Sequence, residues 1–212
     1  MPLSKIQSES MNLADNYAFT GTVSGAGGGK LLQTVDSYQL GTWEQSAGGT
    51  SFSDINPGSG VWTASITPSA TNSIIIVYLT FGHISPHNSG DGGYGGALRI
   101  LRKIGSGSYG NVTNNYGSGS GSSWRALCLT SREYNSGYIR GMHCPPLVDT
   151  SHNTTSALTY KPQIIAHASG YGTYRINSGH ATENSGGYAS KVISRMILEE
   201  RAPWVNLMEQ LY

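Results

Sequence analysis

Charged side chains are scarce. Thirteen Lys/Arg and twelve Asp/Glu make up 12% of the 212 residues and leave a net charge of +1. That is about half the charged share of an ordinary globular domain. So neutral a chain lacks the dense cationic surface that phosphate backbones require, which argues against nucleic acid as its main partner. Cysteine is nearly absent as well. Cys128 and Cys144 lie in different segments with no C-x-x-C spacing, which excludes a zinc ribbon or a thioredoxin-type dithiol. A bridge between them would depend on geometry that spacing does not encode. The expectation is two free, buried thiols, because free Cys is among the most buried residue types. Long apolar runs are missing: the longest, Ile74–Leu79, is too short to cross a bilayer as a helix. The opening MPLSKIQSES has no apolar signal region, so no secretory signal is expected.

What fills the space is Gly (29 residues) and Tyr (13), with much Ser, Asn and Thr. The aromatics and the low net charge exclude a disordered chain. One domain with arms fits the length. Residues 1–29 read as an N-terminal arm ending in the hinge Gly25-Ala26-Gly27-Gly28-Gly29. Its sparse apolar points, Ile6, Met11, Leu13, Tyr17 and Phe19, cannot make a core of their own, so the arm is expected to dock on something else. Residues 30–200 read as the main domain and 201–212 as an extension.

Within the main domain the pattern is one of strands. Thr34–Leu40 and Val61–Thr67 alternate. Ser73–Phe81 is apolar on both faces, with Ile75, Val77, Leu79 and Phe81 opposite Ile74, Ile76 and Tyr78, and is expected to be covered on both sides. Ala97–Ile104 puts Leu98, Ile100 and Ile104 on one face and Arg99 and Lys103 on the other; Leu101 and Arg102 break the pattern. Trp124–Thr130 is a short strand. Leu158, Tyr160, Ile164 and Ala166 share a face, and Pro162 marks that strand as an edge or a bulge. Tyr174–Asn177 follows. Tyr188–Glu199 fits either a helix or a strand, and its β-branched residues favour strand. Many strands with Gly/Ser/Asn turns predict an all-β fold: an antiparallel β-sandwich of jelly-roll type. Beyond Pro203, the spacing of Trp204, Leu207, Met208 and Leu211 predicts a short helix that must pack to persist.

Motifs for catalysis are few. Gly105-Ser106-Gly107-Ser108-Tyr109-Gly110 matches G-x-G-x-x-G but leads into polar loop, with no helix to hold a pyrophosphate. The histidines (His83, His87, His143, His152, His167 and His180) show no H-E-x-x-H, and ordinary loop hydrogen bonds account for them. His83, His87 and Asp91 would make a metal site only if their loop folded back. Asp91, Asp149 and Glu183 are the carboxylates that a small polysaccharide depolymerase would have to use. The chain is read as non-enzymatic, with no cofactor and no metal.

The loops carry the remaining signal. Tyr94, Tyr109, Tyr116, Tyr134, Tyr138, Tyr171, Tyr174 and Tyr188 all sit in Gly/Ser/Asn stretches. Tyr gives large amphipathic contact at small entropic cost, among residues that hydrogen-bond adaptably. The first seven are the candidates for contact with a host-surface glycan. The competing reading is a set of solvated loops whose Tyr rings close against the sheet.

Several segments, in order, resemble the tail-fibre and related virion surface proteins of marine and cyanobacterial tailed phages. They are Met11–Gly25 (MNLADNYAFTGTVSG), Ala97–Arg102 (ALRILR), Pro146–Thr150 (PLVDT), Thr155–Gln163 (TSALTYKPQ), Tyr174–Gly179 (YRINSG) and Tyr188–Glu199 (YASKVISRMILE). The resemblance implies a non-enzymatic, homotrimeric jelly-roll knob on the virion surface, made in the host cytoplasm and joined to other virion proteins of tail, baseplate or capsid. A tail-fibre head would bind host glycan. A capsid decoration protein, clamping the shell with its arm and base, suits the same features. A cellular lectin of the same fold is a third reading.

Overall fold

The computed structural model describes residues 29–47, 51–58, 60–86, 96–112, 126–129, 144–166, 173–177 and 192–203. Residues 1–28 of the arm and hinge, and residues 204–212 of the stretch predicted as a C-terminal helix, lie outside that set. Thirteen strands are described: β1 (Leu31–Gln39), β2 (Trp43–Ser46), β3 (Ser53–Asp54), β4 (Ala64–Ile66), β5 (Ile74–Thr80), β6 (Ile84–Pro86), β7 (Gly96–Ile104), β8 (Gly110–Asn111), β9 (Cys128–Leu129), β10 (Leu147–Asp149), β11 (Leu158–Ala166), β12 (Thr173–Ile176) and β13 (Ser194–Arg201). The described residues contain no helix, and every strand pairing is antiparallel. The all-β expectation holds.

The strands form three sheets. The first runs β1-β13-β5-β10 and the third β2-β12-β6; the second runs β3-β11-β7-β8, with β4 also on β11 and β9 on β7. The end of the Tyr188–Glu199 segment, where β-branched residues favoured strand over helix, lies in β13, a central strand between β1 and β5. Alternation sorts each strand into faces. Ile75, Val77 and Leu79 of β5, Met196 and Leu198 of β13, and Leu147 of β10 are buried from the first sheet. They share one core with Ala64, Ile66, Leu98, Ile100, Leu158, Tyr160 and Ile164 of the second and with Tyr174 and Ile176 of the third. Each such aliphatic side chain contributes about 1.5–3 kcal/mol on burial. Trp62 and Phe81 meet edge to face at 6.0 Å inside it, and Trp62 Nε1 donates to Ser37 Oγ at 3.0 Å.

Two expectations change. The strand carrying Pro162 is no edge: β11 pairs with β7 along its whole length, and with β4 and β3 on its other side. Pro162 is tolerated because it falls in the gap between those two short neighbours, β4 covering Leu158–Tyr160 and β3 starting at Gln163. Its carbonyl still accepts from Ile55 N–H at 3.3 Å. Within one protomer the outer face of β5 is covered in part: Ile74 is buried, whereas Ile76 and Tyr78 are half-exposed. Finally, Cys128 and Cys144 are joined in a disulfide, with Cα atoms 5.2 Å apart, rather than free. The fold brings β9 beside the approach to β10, a juxtaposition that their 16-residue separation could not reveal.

Two glycines are required by close packing. A Cβ on Gly96 would meet the Tyr174 hydroxyl and lie 2.6 Å from the Ile165 carbonyl oxygen. One on Gly82 would lie 2.6 Å from the Ile193 carbonyl oxygen.

Candidate binding platform on the second sheet

Register places Arg99 and Lys103 of β7 on one face with Thr159, Lys161 and Gln163 of β11, Gln163 facing Arg99 and Thr159 facing Lys103. This is the face turned away from the core residues Leu98, Ile100, Leu158 and Tyr160. Asp54 of β3 joins it opposite Gln163, and Ser65 of β4 joins it opposite Thr159. The G-x-G-x-x-G segment is the hairpin turn between β7 and β8. Gly105 takes a positive φ of 52°, and Gly107 N–H donates to the Ile104 carbonyl at 2.9 Å. The motif therefore opens onto a strand. What the turn delivers is Tyr109, half-buried, whose ring centroid lies 4.2 Å from Lys161 Nζ and 5.3 Å from Lys103 Nζ. Beside it the Arg99 guanidinium lies 4.2 Å from the Phe52 ring centroid. These are cation–π distances.

Polar contacts fix the arrangement. Lys161 Nζ donates to Asp54 at 2.8 Å, Arg99 Nε donates to Gln163 Oε1 at 2.7 Å, and Gln163 Nε2 donates to the other Asp54 oxygen. Ser65 and Thr159 hydroxyls are 2.9 Å apart. Burial alone would push the Asp54 carboxyl up; hydrogen bonds from Lys161 and Gln163 and the charges of Lys161 and Arg99 outweigh it, so Asp54 titrates below its ordinary value. Partial burial, then the Asp54 charge, pushes the Tyr109 phenol up, so it keeps its proton at neutral pH. The result is a shallow shelf with two rings, three cations, one carboxylate and a hydroxyl pair, braced from beneath by the buried Gln163 amide. It can stack a planar or saccharide face and meet polar substituents.

Of the loop tyrosines, Tyr109 is the one placed on this shelf. Tyr174 is not a surface residue: it lies in β12, 2% exposed, with its ring in the core. Alternation along Thr173–Ile176 buries Tyr174 and Ile176 together, which the surrounding Gly/Ser composition concealed. Tyr94, Tyr116, Tyr134, Tyr138, Tyr171 and Tyr188 lie outside the described residues, as do the arm positions Ile6, Met11, Leu13, Tyr17 and Phe19. Sequence reading did not assign Phe52, Asp54, Lys161 or Gln163 to a site. Tyr109 among the loop tyrosines, and the shared face of Arg99 and Lys103, were the signals the sequence offered there.

The depolymerase reading loses a member. Asp149 is fully buried and accepts from Arg102, Tyr160 and Ser151, so it cannot meet a polysaccharide. Asp91 and Glu183 lie outside the described residues. His152 is a buried structural histidine, its Nε2 2.8 Å from the Ser73 carbonyl oxygen. His83 lies in the described set while His87 and Asp91 do not, and the described residues contain no group of three potential metal ligands.

A second surface lies on the first sheet. Its outer face carries Tyr38 of β1, Ile197 of β13, Ile76 and Tyr78 of β5, and Val148 of β10. Tyr38 is 53% exposed and Val148 42%. Two ion pairs lie among them, Arg195–Asp36 at 2.9 Å and Arg201–Glu199 at 2.7 Å.

Compared with known proteins, the chain matches no family model and no curated relative.

Proposed function

We propose that this chain is a non-enzymatic surface protein of a tailed-phage virion: a homotrimeric β-sandwich knob of jelly-roll type. Its N-terminal arm anchors it and its exposed aromatic surface contacts host glycan. The number three and the virion setting come from the sequence resemblance. The observation that carries the association is the outer face of the first sheet. Ile76, Tyr78, Ile197 and Val148 form an apolar centre there, and its two ion pairs balance in sign. A face with equal acid and base around an apolar middle suits a second copy of itself. The Cys128–Cys144 bridge supports an exterior location, because disulfides persist on virion surfaces and rarely in a reducing cytoplasm.

The decoration-protein reading has its own support. Gly29 N–H donates to the Ala202 carbonyl at 3.1 Å, and Ala202 N–H donates to the Lys30 carbonyl at 2.9 Å. The roots of the arm and of the extension past Pro203 thus leave the first sheet side by side. An arm and a short packed helix starting from one point would grip one partner together.

Sedimentation equilibrium of the full chain tests the proposal. A trimer is expected at micromolar concentration, and Ile76→Glu with Ile197→Glu should give a folded protomer of one third the mass. A lone wild-type protomer would refute the assembly. Copy number per particle then separates the two readings: a few trimers for a fibre, hundreds for a shell protein.

A further inference from the structure

We propose that the Tyr109 shelf selects an acidic saccharide, one bearing a carboxylate or a sulfate, and that Lys103 supplies the charge that recognises it. This rests on the glycan-binding reading above and names its ligand class. Among the described residues the shelf holds three cations, Arg99, Lys103 and Lys161, and one carboxylate, Asp54. The whole chain nets only +1, so the shelf is more positive than the rest of the molecule together. Asp54 is committed to Lys161 at 2.8 Å. Lys103 makes no ion pair among the described residues; its ammonium rests 5.3 Å from the Tyr109 ring centroid. Lys is a compact charge on a flexible stem, so Lys103 can swing from the ring to an arriving anion without breaking a salt bridge. Beside it are the features a sugar ring uses: the Tyr109 ring and the exposed Ser65–Thr159 hydroxyls, while the buried Gln163 amide holds Arg99 and Asp54 in place. So few cations are too sparse to track a nucleic-acid backbone.

The test is binding of the full-length chain to four probes: an oligogalacturonate, a sulfated galactan fragment, a neutral galactan fragment and oligothymidylate. At least one acidic saccharide should bind at least tenfold more tightly than the neutral one, and which of them does identifies the anion. Lys103→Gln should weaken that binding about tenfold, the worth of one hydrogen bond to a charged group, and leave the thermal midpoint unchanged. Tyr109→Ala should abolish it and Tyr109→Phe retain most of it. Equal binding of acidic and neutral fragments, no binding of either acidic one, an unaffected Lys103→Gln variant, or tighter binding of oligothymidylate would each overturn the proposal. Mass is read in the same samples. A monomer that binds the acidic fragment loses the trimer and keeps the shelf; a trimer that does not loses the shelf alone.

Discussion

The Tyr160 hydroxyl donates to the fully buried Asp149 carboxylate at 2.7 Å, across the core from one sheet to the other. Asp149 ends β10 in the first sheet, and Tyr160 is central in β11 of the second. Arg102 of β7 reaches both carboxylate oxygens at 2.7 Å, and Ser151 N–H donates to one of them at 3.0 Å. A charge buried this deeply persists only because each of its acceptor sites is used. Removing it by Asp149→Ala should cost about 3–5 kcal/mol, the penalty of an uncompensated buried Arg. Tyr160→Phe removes a single bond to a charged group and should cost about 1.5–3 kcal/mol. Urea midpoints at constant slope would check both. A loss under 1 kcal/mol for Asp149→Ala would mean that water reaches the pair.

The same cluster explains what the sequence displayed and hid. Arg102 breaks the alternation of Ala97–Ile104 because it belongs to the inner face, where a carboxylate from another sheet waits for it. Leu101, the other exception, lies on the outer face opposite Lys161 and is 8% exposed. Neither partner can be foreseen from local periodicity, since both come from strands distant in sequence. The strands themselves were legible: β5, β7, β11 and β13 fall within or beside the segments read from apolar spacing. Short β2, β3, β6 and β8 were not, because two to four residues carry no period. The shelf was half legible, through Arg99, Lys103 and Tyr109. Its other members depend on β11 lying between β7 and β3.

Acid should loosen the first sheet through Glu200. This side chain is fully buried at the end of β13 and accepts from Gln33 Nε2, from Ser69 N–H at 2.7 Å and from Ser69 Oγ at 2.8 Å. Burial alone would raise its carboxyl, but hydrogen bonds from Gln33, Ser73 and Ser69 together prevail and hold it below its ordinary value. Because the folded value is depressed, the stabilisation is fully present above the unfolded value of about 4.3 and is lost as pH falls through the folded one. Asp54 shifts in the same direction and adds to the effect. Thermal midpoints from pH 7 to pH 2 should fall along that limb. Glu200→Gln should be less stable at pH 7 by about 1–3 kcal/mol and show a shallower acid limb. An unchanged limb would place the pH dependence elsewhere.

Asn177 should tolerate Gly better than Ala. It is fully buried with φ of +61°, in the left-handed region. Its Nδ2 donates to the Gln39 and Gly41 carbonyls at 2.8 and 3.1 Å, and its Oδ1 accepts from Ser194 Oγ at 2.6 Å. One residue thus ties the end of β1 and the start of β13 to the third sheet. Both substitutions strand these groups, at about 2–4 kcal/mol. Ala adds a Cβ to a conformation that Gly adopts freely, so it should cost about 1 kcal/mol more. Equal loss for the two variants, measured by urea unfolding, would mean that the hydrogen bonds alone account for the residue.

The Cys128–Cys144 bridge joins β9, on the edge of the second sheet, to the segment entering β10 of the first, across a separation of 16 residues. For a loop of that size, chain entropy predicts about 3 kcal/mol of stabilisation. Reduction should therefore lower the unfolding free energy by about that amount, and Cys128→Ser with Cys144→Ser should match the reduced wild type and ignore reductant. The bridge also gives the proposed exterior location a chemical test. If the chain is made in a reducing cytoplasm and displayed on a particle, its thiols should be alkylated in fresh lysate and protected on released virions, because only the outside is oxidising. Mass spectrometry after alkylation distinguishes the two states. Thiols still free on mature particles would argue that the knob sits where reductant reaches it or that the bridge does not form there, and would remove one of the physical supports for an exterior location.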